Sequence, residues 1–209
     1  MEFLTNPDRF LRNVKENLDY KLPLLLVSLS GVTGGIKGYI IGDAMKRAVA
    51  RMLIEKGLAE KEIQTALAFV QLSSVVTPII TSFVVWFLIA ILIHAISSLF
   101  GGKGKFSTTL KLSAFSFIPN LIFFPLDLYL SFETARYMDL YGLEGFKHGF
   151  GLVLTIVGLF VLIWQFFYWI FIAKNARELD MKKATITAFV VFVLFLIPTA
   201  YTLLTKLNF

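Results

Sequence analysis

No cysteine occurs among the 209 residues, which excludes disulfides, thiolate metal sites and cysteine nucleophiles. Histidine is nearly as scarce. His94 and His148 are the two present, too few for a multi-histidine metal centre. Charged residues make up 16% of the chain, against about 25% in a typical soluble domain. No Gly-x-Ser-x-Gly, His-Glu-x-x-His or paired catalytic carboxylates appear, so no catalytic site and no cofactor is expected. The first 21 residues are polar and charged, and the first apolar run lacks a small-residue cleavage site; no cleavable signal peptide is expected.

What is present is apolar. Hydrophobic residues make up 57% of the chain, including 22 phenylalanines, and the mean hydropathy is +0.76. Soluble folds interrupt apolar runs more often, so this excess points to continuous burial in lipid. The net charge of +6 then reads as basic loops beside a membrane, not as a nucleic-acid surface. The expected fold is all-α: a polytopic membrane protein with five transmembrane helices plus amphipathic interfacial helices.

Residues 1–21 form the first expected unit. Asn6 suits a helix cap, Pro7 the first helical position and Asp8 the positive helix start. Phe10, Leu11, Val14 and Leu18 share one face, fitting a helix in the membrane interface or one packed on the bundle end. Residues 22–209 form one transmembrane domain with spans at about 22–41, 75–100, 110–130, 150–173 and 184–204. The first span is the weakest, and a re-entrant segment is its alternative. Its pairs Gly31/Gly35 and Gly34/Gly38 suit close contact with another helix. In the fourth span, Gly151, Thr155, Gly158 and Gln165 share a face that reads as a packing seam. Residues 43–72 read as an extramembrane helical loop, an amphipathic helix or hairpin broken near Gly57 and expected to cap the bundle.

The turn Gly101-Gly102-Lys103-Gly104-Lys105 precedes an unusual span. That span carries Pro119, Pro125 and an intramembrane Asp127. On an ideal helix, Thr109, Ser113, Ser116, Asn120, Asp127 and Ser131 fall within an arc of roughly 60°. Such a stripe should face protein or water rather than lipid. Asp127, Asn120, Ser116, Ser113 and His94 are therefore the candidate intramembrane polar site. Placing a carboxylate inside a span costs about 2.5–3.5 kcal/mol on insertion scales; Asp127 marks either a functional group or a polar anchor, with Lys37 as its candidate partner. The glycine-rich turn is not a phosphate-binding loop. Leu99 stands where that motif needs its first glycine, and Phe106 where it needs Ser or Thr after the lysine. Lys103 and Lys105 read instead as cations facing anionic headgroups.

With the N-terminus cytoplasmic, the inner side gathers Arg9, Arg12, Lys15, Lys21, Lys103, Lys105, Lys111, Lys174, Arg177, Lys182 and Lys183. The outer side keeps Lys37, Lys46, Arg47, Arg51, Lys56, Lys61, Arg136, Lys147 and Lys206. The excess is small, but the two short inner turns are clean, so a cytoplasmic N-terminus and an extracytoplasmic C-terminus are expected.

Gly101-Gly102-Lys103-Gly104-Lys105-Phe106, the following span with Pro119, and the later Leu162-Ile163-Trp164 resemble the Yip family. These multipass membrane proteins are named for interaction with Ypt/Rab GTPases. Eukaryotic members carry a long polar N-terminal region. Here about twenty residues precede the first span, and the Asn6-Pro7 start followed by an amphipathic helix resembles the prokaryotic branch. The resemblance implies five spans, a cytoplasmic N-terminus and a role in membrane organisation or trafficking. The expected function is thus a non-catalytic, membrane-organising adaptor in the cell membrane. Its expected partners are the bilayer, through anionic headgroups at the basic turns, and either another protein or a second copy of the chain. The alternative is a small transporter or channel with a polar site at Asn120 and Asp127.

Overall fold

The computed structural model describes the backbone of residues 2–145 and 150–207, with side chains through residue 201. Lys147, His148 and the Lys206 side chain lie outside the described residues. The described chain is all-α, and five of its helical segments are long and apolar enough to cross a membrane.

A short helix α1 (Glu2–Thr5) leads into α2 (Pro7–Lys15). Asn6 caps α2, its Oδ1 accepting the Arg9 N–H at 3.0 Å, and this satisfies a donor that the first turn leaves open. Leu11 is completely buried, and Phe10 meets Phe115 edge-on at 5.2 Å. The apolar face of α2 therefore packs onto the end of the bundle.

Helix α3 runs unbroken from Lys21 to Glu55 and α4 from Glu60 to Leu99. At 1.5 Å per residue these measure about 50 and 60 Å, well beyond the ~30 Å of a hydrocarbon core. The first apolar segment is thus part of a full-length helix, not a re-entrant loop. Residues 43–72 comprise the end of α3, a turn at Gly57 and the start of α4. Gly57 has φ +72°, a conformation that costs other L-residues about 1–2 kcal/mol. The Glu62 carboxylate accepts the Ala59 N–H at the start of α4.

The third span has three parts: α5 (Phe106–Ser113), a 3-10 stretch Ala114–Phe117 and α6 (Ile118–Tyr141). Pro119 lies in the first turn of α6, where its missing N–H costs nothing. The polar stripe faces the interior along its length: Thr109, Ser113, Ser116 and Ser131 are buried, and Asn120 and Asp127 are partly exposed to the cavity. Helix α6 supports the extension of α3 around Ala44, Ala135 and Met138, and both Asp139 oxygens accept from Arg47, at 2.8 and 2.9 Å.

Helices α7 (Gly151–Arg177) and α8 (Met181–Leu207) complete the bundle. Asp180 caps α8 by accepting the Lys183 N–H at 3.0 Å. Side-chain packing is not uniform along the bundle. Toward the end bearing α2, Trp86, Ile89, Ile93, Leu112, Phe115, Tyr168, Trp169 and Ile172 form a solid core. Toward the other end the same helices line an open cavity.

Candidate functional site

Glycines bring α3 against α4. A Cβ at Gly38 would overlap the Ser74 carbonyl oxygen, and one at Gly42 would overlap the Ser74 side chain. In lipid, where apolar burial gives no drive to helix association, such backbone approach supplies the van der Waals contact that does. The contact continues through Gly31 beside Ser82 and Gly34 beside Pro78.

On the far side of this seam lies a cavity of about 530 Å³. All five spans line it: Ser30, Thr33 and Lys37 from α3, Thr81 and Ser82 from α4, Asn120 and Asp127 from α6, Gly158 and Gln165 from α7, and Phe195 and Thr199 from α8. Its polar groups are layered, since Asn120 and Asp127 are seven residues apart on α6, about 10 Å along the axis. At the level away from α2, Lys37 Nζ donates to Asp127 Oδ2 at 2.6 Å. These side chains are 30% and 15% exposed. Deeper, Gln165 Nε2 donates to Asn120 Oδ1 at 3.3 Å. Nothing lies within 4 Å of a Cβ built at Gly158. That position therefore contributes open space to the cavity, not the close packing expected of its face.

The cavity brings Asn120 and Asp127 together and excludes the other candidates. Ser113 and Ser116 are fully buried, their hydroxyls donating to the Leu110 and Ser113 carbonyls at 2.8 and 2.7 Å. His94 sits nearer the α2 end, Nδ1 3.4 Å from Thr109 Oγ1 and its ring edge-on to Phe106. Among the described residues no group of Asp, Glu, His or Cys is arranged to hold a metal ion.

The glycine–lysine turn is a second organised feature, and its key residue is Arg177. The charge count groups this arginine with basic residues of the turns, yet it is only 3% exposed. Its Nε donates to Ser97 Oγ at 2.8 Å, and Nη2 donates to Ser98 Oγ at 2.9 Å and to the Gly102 carbonyl at 2.6 Å. Nη1 donates to the Gly104 carbonyl. The Lys103 N–H returns a bond to the Arg177 carbonyl at 3.1 Å. Oxygens at the C-terminal end of α4 compensate the buried guanidinium, where the helix dipole is negative. Gly101 has φ +83°, and a Cβ at Gly104 would overlap the Ala176 carbonyl. Those two glycines are therefore needed for conformation and for clearance. The clamp leaves Lys103 and Lys105 exposed.

Beside the turn, Asp8 ties α2 to α7. Its carboxylate accepts from Lys174 Nζ at 2.7 Å, Asn175 Nδ2 at 2.8 Å and Arg12 Nη2 at 2.9 Å. Burial alone would raise the Asp8 pKa, but the Lys174 and Asn175 hydrogen bonds outweigh it and hold the carboxyl below its ordinary value.

Comparison with known proteins agrees with this architecture. The Yip1 domain matches residues 1–202. An uncharacterized protein of the archaeon Methanocaldococcus jannaschii is 30% identical over 123 residues, covering 58% of this chain and 80% of its own. No solved structure matches the chain. The Yip1 match runs from α1 through all five spans and includes both the clamped turn and the cavity, and the chain belongs to the Yip1 domain family of multi-pass membrane proteins.

Proposed function

We propose that this protein is a non-catalytic, membrane-organising adaptor of the cell membrane, with its N-terminus cytoplasmic and its C-terminus outside. The observation that carries this reading is the Arg177 clamp, which presents Lys103 and Lys105 on a fixed turn at the α2 end. Cations held in place lose less conformational freedom on binding than cations on a loose loop. Each Lys near an anionic leaflet contributes about 1 kcal/mol, and an acidic protein face would meet the same display. Exposed Arg9 and Arg12 on α2 enlarge it. The test is purification in native membrane discs, comparing the parent protein with Lys103→Glu/Lys105→Glu. The parent should carry enriched anionic lipid or a stable protein partner, and the variant should lose it. A parent protein that carries neither would end the adaptor reading. Topology is checked separately, because the chain has no cysteine: a single Cys at position 103 should label only from the cytoplasmic side.

The cavity favours a second reading, a small transporter or channel using Asn120 and Asp127. It predicts solute flux into liposomes that Asp127→Ala abolishes. Liposomes showing no flux above protein-free controls would remove this reading.

A further inference from the structure

Lys37 and Asp127 present one cation and one anion to the same cavity, each partly exposed and 2.6 Å apart. An incoming simple anion would draw Lys37 away and strand the Asp127 charge at membrane depth. A simple cation would strand Lys37 in the same way. Either penalty works against binding. A molecule that brings both charges satisfies both side chains and adds no net charge to the site. Lys37 has the flexible stem needed to move aside and admit it.

We infer that the cavity is a binding site for a zwitterion whose anionic group meets Lys37 Nζ and whose primary ammonium meets the Asp127 carboxylate. Two further features favour this class. The Asn120–Gln165 amides below the ion pair have donor and acceptor capacity for the polar remainder of the ligand. Val85, Phe117, Val161 and Leu162 supply apolar wall, as binding cavities generally do. The volume of about 530 Å³ suits a small amphiphile or a headgroup. This chemistry has two sources, an ethanolamine phospholipid headgroup or a soluble aminophosphate. The inference rests on the cavity alone. It is independent of the Lys103/Lys105 surface and holds whether the ligand stays or moves.

The experiment uses the full-length chain in two arms. In the first, the protein is reconstituted into discs of equal phosphatidylethanolamine and phosphatidylglycerol, and retained lipid is identified by native mass spectrometry. In the second, delipidated protein in detergent is titrated with phosphoethanolamine while its melting temperature is followed. Two variants accompany the parent: Lys37→Met/Asp127→Leu removes both charges without leaving one behind, and Lys37→Asp/Asp127→Lys keeps both in exchanged positions. The parent should retain phosphatidylethanolamine over phosphatidylglycerol by roughly tenfold, a ratio within reach of two charge-assisted contacts. Alternatively or in addition, its melting temperature should rise with phosphoethanolamine. The neutral pair should lose the response, and the exchanged pair should recover part of it. A response in the lipid arm alone assigns a headgroup, and one in the soluble arm assigns a free solute. No preference in either arm, or equal binding by the neutral pair, overturns the inference. Adaptor failure would show instead as unchanged partner or lipid recovery in the Lys103/Lys105 variant.

Discussion

Lys37 and Asp127 lie 90 positions apart in the chain and meet at 2.6 Å in the half of the bundle away from α2. An ion pair so placed offsets two insertion costs but adds little net stability of its own. The informative comparison is therefore between removing one partner and removing both. Asp127→Ala should destabilise the protein by about 1–3 kcal/mol, a figure discounted for the partial exposure of Lys37. Lys37→Met/Asp127→Leu should come within about 1 kcal/mol of the parent. Melting in detergent, with all four corners of the double-mutant cycle, measures the difference. A double variant less stable than either single would show that the pair stabilises the fold outright.

Arg177 should not tolerate lysine. Its fork contacts Ser97, Ser98, Gly102 and Gly104 together, and an ammonium cannot reproduce that geometry. Arg177→Lys is expected to cost about 2 kcal/mol through hydroxyls and carbonyls left without a donor. Hydrogen exchange should show faster amide exchange in residues 101–105 while the seam between α3 and α4 stays protected. Equal protection of the turn in the variant would remove the clamp from the account.

The five crossings are legible from hydropathy because lipid demands long apolar runs. Where helices end is not, since the lipid boundary and the helix boundary are different things: apolar character stops near Ile41, but the helix continues to Glu55. The meeting of Lys37 and Asp127 is legible because intramembrane charges seek opposite partners. That the polar stripe faces inward is legible, but which of its residues meet the cavity is not. An ideal helix places Ser113 and Ser116 with Asn120, but the two serines are fully buried in packed core while Asn120 lines the cavity. Arg177 is invisible to pattern reading. It stands among Lys174, Lys182 and Lys183 like any basic residue of a membrane-facing turn, and only the close approach of Gly102 and Gly104 to α7 buries it.

The glycines of α3 and α7 should respond oppositely to one added methyl. Gly38→Ala forces Cβ into the Ser74 carbonyl, so α3 and α4 must part, at a cost of about 1–3 kcal/mol. Gly158→Ala meets nothing within 4 Å and should be neutral or stabilising by up to about 1 kcal/mol, through the lower entropy of the unfolded chain. Paired detergent melts decide it. A Gly38→Ala protein as stable as the parent would show that the seam is looser than the backbone contact implies.

Docking of α2 should depend on pH through Asp8. Its folded pKa is held below the ordinary 3.8 by Lys174 and Asn175 against the opposing effect of burial. A lowered folded pKa means that the contribution is fully present above the unfolded value and is lost as pH falls through the folded one. Docking is therefore expected to be constant from neutral pH to about pH 5, and to weaken below about pH 4 as the carboxylate takes up a proton. Asp8→Asn should mimic the acid state at neutral pH, because its amide keeps the shape but loses the charge that Lys174 and Arg12 engage. A spin label on α2 would report both effects, since release of Leu11 from its pocket frees the helix to move. The decisive outcome is the comparison as pH is taken progressively below 3.8: mobility rising in the parent but unchanged in Asp8→Asn identifies Asp8 as the titrating latch, whereas an equal rise in both assigns the release to another group.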